Sequence, residues 1–166
     1  MTRRDILFRV LFAILVVGVL AVFSPLVKWG EDMTASVTPA VLNWFVNQER
    51  LQNQLVQLTH NDLLAKAARL KAEDMANNGY FEHVSPTGVT PWDWLDLVGY
   101  QYDYAGENLA LDFVDSHKVK EAWMQSSSHR SNLLKSSYTE IGTGVATGTY
   151  DGREVQFVVQ IYARPL

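Results

Sequence analysis

Cysteine is absent from this chain of 166 residues, which removes disulfides, thiolate nucleophiles, Cys-ligated zinc and iron–sulfur clusters from consideration. Glycine and proline are sparse, at 10 and 5. With no internal repeat or low-complexity tract, collagen-like and disordered architectures are excluded. Basic residues are outnumbered, 14 Lys and Arg against 18 Asp and Glu. A domain built to grip nucleic-acid phosphate carries the opposite balance, so no nucleic-acid partner is expected. The GxSxG elbow, the HExxH helix and the P-loop are also missing, and Gly142, Gly144 and Gly148 lack the dinucleotide-binding spacing. What is there is 48% apolar content, enough for a real core in one domain.

The longest apolar run lies at the front. Arg3, Arg4 and Arg9 precede Val10 to Phe23, which carry no polar side chain, and no charge appears before Lys28. A spanning helix needs roughly 17–25 residues, so residues 10–28 read as a short transmembrane signal anchor behind a cytoplasmic segment, 1–9. Trp29 beside Lys28 suits an interfacial anchor, and the arginines set the N-terminus inside. No good small-x-small cleavage site follows, although a cleaved signal with a secreted product is the alternative. A polar linker, 29–38, leads to a domain over 39–166 that carries ten basic against fifteen acidic residues.

Within that domain, Thr38-Pro39 and Thr90-Pro91 read as an N-cap followed by proline at the first helical turn. Asn61 to Asn77 forms a second helix, ended by Asn78-Gly79 in the left-handed manner, and Asp115 caps a helix through Trp123. Tyr102 to Ala110 is extended. Asp151-Gly152 between two β-periodic runs signals a hairpin. Helices first and strands last predict an α+β fold with helices packed on an antiparallel sheet. The aromatics Trp92, Trp94, Tyr100, Tyr102 and Tyr104 are expected to serve the core.

Four histidines are candidates for proton transfer or metal ligation. His60 sits before a helix and reads as a surface residue, and His117 makes an ordinary i, i+4 pair with Glu121. His83 lies in a loop, Glu82-His83-Val84-Ser85-Pro86, where sites are commonly built. Glu107 sits in a small, apolar run, Ala105-Gly106-Glu107-Asn108-Leu109-Ala110. A buried carboxylate there needs a partner, and either an imidazolium or a metal would serve. His129 lies just past the helix that carries Trp123. Each of these three has a structural hydrogen-bonding role as the alternative.

In order along residues 40–166, several segments resemble the CAP superfamily, or SCP domain. These are Ala72-Glu73-Asp74-Met75-Ala76, Gly79-Tyr80-Phe81-Glu82-His83, Gly106-Glu107-Asn108-Leu109-Ala110, Glu121-Ala122-Trp123-Met124, Ser128-His129-Arg130-Ser131-Asn132 and Tyr138-Thr139-Glu140-Ile141-Gly142. The resemblance is to the cysteine-free bacterial branch and implies an α–β–α sandwich exported from the cytoplasm. In the eukaryotic branch a cleft holds two histidines and two glutamates that bind a divalent metal. His83 and Glu107 match the first of each, while the second glutamate falls on Ser126 and the second histidine on Phe157.

The resemblance therefore implies a cleft lined by His83, Glu107 and His129, with Glu121 a further candidate. His83, His129 and Glu107 could hold Zn²⁺ or Ca²⁺, and metal-free hydrogen bonding is the alternative. Three functions follow as expectations. The first is a membrane-anchored envelope module binding a lipid, glycan or protein. The second is a metal-assisted hydrolase using His83 and Glu107, and the third a tethered structural domain with a vestigial cleft.

Overall fold

The computed structural model describes residues 37–166. Residues 1–36, and with them the expected anchor and most of the linker, lie outside that span. Among the described residues no helix is long and apolar enough to cross a membrane.

The first helix, α1 (Pro39–Gln52), begins at the predicted Thr38-Pro39, but the Thr38 side chain makes no cap. Its main-chain N–H donates instead to Ser116 Oγ at 3.1 Å. The strand β1 (Thr59–His60) follows, then α2 (Asp62–Asn78), whose Asn61 cap accepts from the N–H groups of Leu63 and Leu64. Gly79 ends α2 at φ 65°, a left-handed conformation that costs glycine little. In α3 (Pro91–Leu97), Thr90 and Asp93 form a reciprocal capping box. The strand β2 (Tyr102–Leu111) precedes α4 (Ser116–Gln125), capped by Asp115. His129 lies just past α4, as expected, and inside a further short helix, α5 (Ser127–Leu133). The strands β3 (Glu140–Tyr150) and β4 (Arg153–Pro165) form the predicted hairpin. Positive φ at both Asp151 and Gly152 gives its turn the primed form that matches strand twist.

The sheet runs β1-β3-β4-β2. It is mixed rather than wholly antiparallel, because β1 pairs parallel with β3, Thr59 opposite Glu140 and His60 opposite Ile141. Two residues are too short for a periodic signal, and only the tertiary fold brings them together.

Side-chain alternation on β2 and β4 divides the core in two. Leu109, Phe157, Val159 and Ile161 pack with Leu64, Ala68 and Met75 of α2 and Leu95 of α3. Ala110, Val158 and Tyr162 pack with Leu42 and Val46 of α1, Val119 and Trp123 of α4, and Leu133 of α5. The result is a three-layer sandwich with β2 at one margin. Of the aromatics expected in the core, Tyr100 is buried, whereas Trp92 and Tyr104 are exposed.

Candidate functional site

The site forms where β2 meets the turn after α2. Alternation places Glu107 on the same face as Leu109, toward α2. Its side chain is 2% exposed, and Oε1 lies 2.6 Å from His83 Nδ1. The other oxygen, Oε2, is buried with no hydrogen-bond partner. The His83 side chain is 55% exposed. One imidazole edge is thus fixed on a buried carboxylate, and the other stands toward solvent. The bond to Glu107 raises the His83 pKa above its ordinary value of 6.5, against the opposing effects of burial and the Lys71 charge.

His129 approaches from the other side of the strand. Its main-chain carbonyl accepts from Asn108 Nδ2 at 3.1 Å, and its ring lies 6.5 Å from that of Trp123. Burial, and secondarily the charge on His83, lower its pKa. The two rings are thus shifted in opposite directions, His83 upward by its carboxylate and His129 downward by burial. Among the described residues no hydrogen bond or ion pair joins the His129 ring to His83 or Glu107, and the link between them is the effect of the His83 charge.

Glu121 does not join them. On α4 its carboxylate takes Lys118 Nζ at 3.1 Å and His117 Nδ1 at 3.7 Å, so helical spacing decides its partners. His60 is exposed and pairs locally with Asp62 at 3.1 Å. Phe157, at the position of the second family histidine, is fully buried in the core, and Ser126 bonds Ser128.

Among the described residues no three His, Asp or Glu side chains gather as a metal-holding group. His83 and Glu107 already occupy each other, and a closed zinc site needs four donors, an open one three. The donor set does not fit a resident metal. Zn²⁺, Ca²⁺ and EDTA are each expected to leave the thermal unfolding midpoint where it is. A midpoint raised by equimolar metal and unmoved in His83→Ala would contradict this.

Several positioning residues escaped the sequence reading. Asn132 Nδ2 on α5 lies 3.1 Å from the Glu107 carbonyl and 2.8 Å from Asn108 Oδ1. Trp123 Nε1 donates to the Leu109 carbonyl at 2.9 Å. Asn108 also donates to the Tyr162 hydroxyl at 3.4 Å, and Tyr162 donates to Gln160 Oε1. Gln160 Nε2 then reaches Thr143 and Asn43, at 2.8 and 3.1 Å. This buried polar chain runs along one face of the sheet from α1 to the His129 carbonyl, each member satisfying the next. Gly106 makes room for it, because a Cβ there would lie 2.8 Å from Asn132 Oδ1 and closer still to the Tyr138 hydroxyl.

The His83–Glu107 pair also predicts a pH dependence. A raised histidine pKa in the folded state gives stability that is complete below 6.5 and is lost as pH rises through the raised value. The unfolding midpoint of wild type should exceed that of Glu107→Gln by most near about pH 6, with a narrower gap by about pH 9. A gap independent of pH would show that the pair carries no such linkage. The depressed pKa of His129 acts in the opposite sense, its contribution being lost as pH falls below 6.5.

Against known proteins, the family model described as the cysteine-rich secretory protein family, CAP, matches residues 45–162. The Bacillus subtilis protein YkwD is 41% identical over 98 residues, which is 59% of this chain and 38% of YkwD. The Bacillus subtilis membrane protein YlbC is 36% identical over 118 residues, 71% of this chain and 34% of YlbC. A crystal structure of an extracellular SCP-domain protein from Bacillus anthracis superposes with a TM-score of 0.64 at 31% identity, covering 76% of this chain and 40% of that one. The chain thus spans well under half the length of each of these relatives.

Proposed function

The chain belongs to the cysteine-rich secretory protein (CAP) family, and from that premise we propose that it is an extracytoplasmic binding module of the cell envelope. It is held to the membrane by residues 10–28 and recognises its ligand at His83, Glu107 and His129. One observation carries the reading, a half-exposed imidazole locked by its inner nitrogen on a buried carboxylate. Such an imidazole keeps its orientation, and in its protonated form, which the carboxylate favours, it presents a charged N–H at Nε2. That group suits an acceptor oxygen on a lipid headgroup, a glycan or a peptide.

A catalytic reading finds less support. Among the described residues no hydroxyl bonds either the His83 or the His129 ring, so the nucleophile-and-base pairing of acyl-transfer enzymes is not formed. The relatives fit export. One is described as extracellular and another as a membrane protein.

The test is a titration of the full chain in nanodiscs, with ¹⁵N-labelled histidine. The probes are phosphatidylglycerol vesicles, soluble peptidoglycan fragments and envelope-derived peptides. One probe is expected to move the His83 and His129 ring resonances, and Glu107→Gln is expected to weaken that response. A probe that binds saturably while leaving both rings unmoved would place recognition elsewhere and end the proposal. Carbonate extraction and N-terminal sequencing of the mature protein test the anchor.

A further inference from the structure

A lysine is among the residues least often buried, because its ammonium loses hydration that only paired contacts replace. Lys71 is nonetheless fully buried, on the face of α2 that carries Ala67, Ala68 and Met75. Burial lowers its pKa, opposed mainly by the charge of Glu107 and then by those of Asp74 and Glu82. Among the described residues no carboxylate forms an ion pair with it. Its ammonium donates instead to the His83 main-chain carbonyl at 3.0 Å and to the Tyr80 hydroxyl at 3.2 Å. The Tyr80 hydroxyl in turn donates to Asp74, one turn further along α2, and the ammonium lies 4.9 Å from the centre of the Tyr80 ring.

Both of Lys71's acceptors belong to the turn that carries the imidazole. Tyr80 and Phe81 pack into the core against α2, but the segment from Phe81 to Val84 has no main-chain support of its own. Main-chain hydrogen bonds stop at Tyr80 N–H on one side and resume at Ser85 N–H on the other, and none involves residues 81–84. The polar anchors of this segment are Lys71 on the His83 carbonyl and Glu107 on the His83 ring. A two-point hold of this kind fixes both position and orientation, since either contact alone leaves a rotation free.

We propose that Lys71 is the positioning residue of the binding site: its hydrogen bond to the His83 carbonyl, braced by Tyr80 and Asp74, holds the turn so that the imidazole stays on Glu107. The proposal rests on the binding reading for its purpose but not for its test, because the geometry is read without ligand. The full chain with ¹⁵N-labelled histidine is observed at one fixed pH, about 6. The His83 Nδ1–H proton, bonded to a carboxylate, gives a slowly exchanging downfield signal.

Lys71→Met removes the donor and fills the space with an apolar chain, and loss of that signal is expected, with the core amide spectrum retained. Lys71→Gln removes the charge but keeps an N–H donor, and retention of the signal is expected. A signal surviving in Lys71→Met, or lost equally in Lys71→Gln, overturns the proposal. Should Lys71→Met not fold, Tyr80→Phe takes away one of the lysine's two partners with the ring left in place. The signal is then expected to broaden, and an unchanged one overturns the proposal. If no probe of the binding panel moves either ring, the binding reading fails while the Lys71 result stands on its own.

Discussion

Gly144→Ala is expected to cost the domain at least about 3 kcal/mol, the upper part of the range for overpacking a filled core. Gly142, Gly144 and Gly148 stand on one face of β3, and α2 lies against them at backbone distance. A Cβ on Gly144 would come closer than 3.0 Å to the main chain of Ala68 and Arg69, and one on Gly142 would meet Leu64 and Ala65 in the same way. Main-chain atoms have no rotamer by which to move aside, so the whole helix must lift from the sheet. Lifting it opens the layer in which Leu64, Ala68 and Met75 meet Val159 and Ile161, and packing contacts fall off steeply with such a gap. A melt on the full chain checks this, with the midpoint lowered by roughly 10–15 °C at ~3–6 °C per kcal/mol for a domain of this size. The pair Gly142→Ala/Gly144→Ala should not fold. At Gly148 a Cβ would meet both the Ala76 side chain and its carbonyl oxygen at 2.7 Å, but this contact lies near the end of α2, which can yield, so a smaller loss is expected. A wild-type midpoint in Gly144→Ala would show that the helix sits further from the sheet.

The second large effect belongs to Arg50, whose residue surface is 1% exposed. Its guanidinium donates to four main-chain carbonyls, those of Val56 at 2.9 Å, Leu133 at 2.8 Å, Lys135 at 3.0 Å and Tyr138 at 3.4 Å. Burial lowers its pKa from the ordinary value, yet an arginine stays charged at any working pH. Replacing a buried ion pair by apolar groups can be neutral when both partners go. Here the acceptors are main chain and remain whatever is done to residue 50. Arg50→Leu takes the donor from all four, of which the Lys135 carbonyl keeps the Tyr138 N–H at 3.4 Å, and a loss of about 3–5 kcal/mol is expected, as when one partner of a buried charged contact is removed. Arg50→Lys recovers only part, because an ammonium cannot spread its donors across a planar fork. Chemical denaturation of the three proteins checks the order. Equal midpoints for Arg50→Lys and wild type would mean that a point charge suffices.

Much of the fold was legible because its punctuation is chemical and local. Thr90-Pro91, Asp115, Gly79 and Asp151-Gly152 mark element ends by side-chain oxygens, fixed φ or left-handed conformations, and none of these depends on distant residues. Glu107 stood out for a similar reason, as a carboxylate in a run otherwise small and apolar. Lys71 carried the same signal and went unread. It interrupts an apolar helical face at i+4 from Ala67 and i+3 from Ala68, where a solvated residue has no place. Glu121 was drawn toward the site by its segment, but Lys118 and His117 are its helical neighbours and took it. Other features were not legible at all. The Thr59–His60 pairing spans two residues, and the four acceptors of Arg50 come from two separate stretches of chain, so only the folded chain assembles them. The close approach of α2 to β3 was present as Gly142, Gly144 and Gly148, but a glycine does not say which neighbour requires it.

The margin of the sheet at β2 has one more consequence. Outward carbonyls on a terminal strand are a template on which a second polypeptide can extend the ladder, and crowding on a surface favours such polymerisation. In this domain the carbonyls of Glu107 and Leu109 are already taken, by the Asn132 amide and the Trp123 indole. The groups that steady the imidazole's neighbourhood thus also occupy two of the acceptors that a second strand would need.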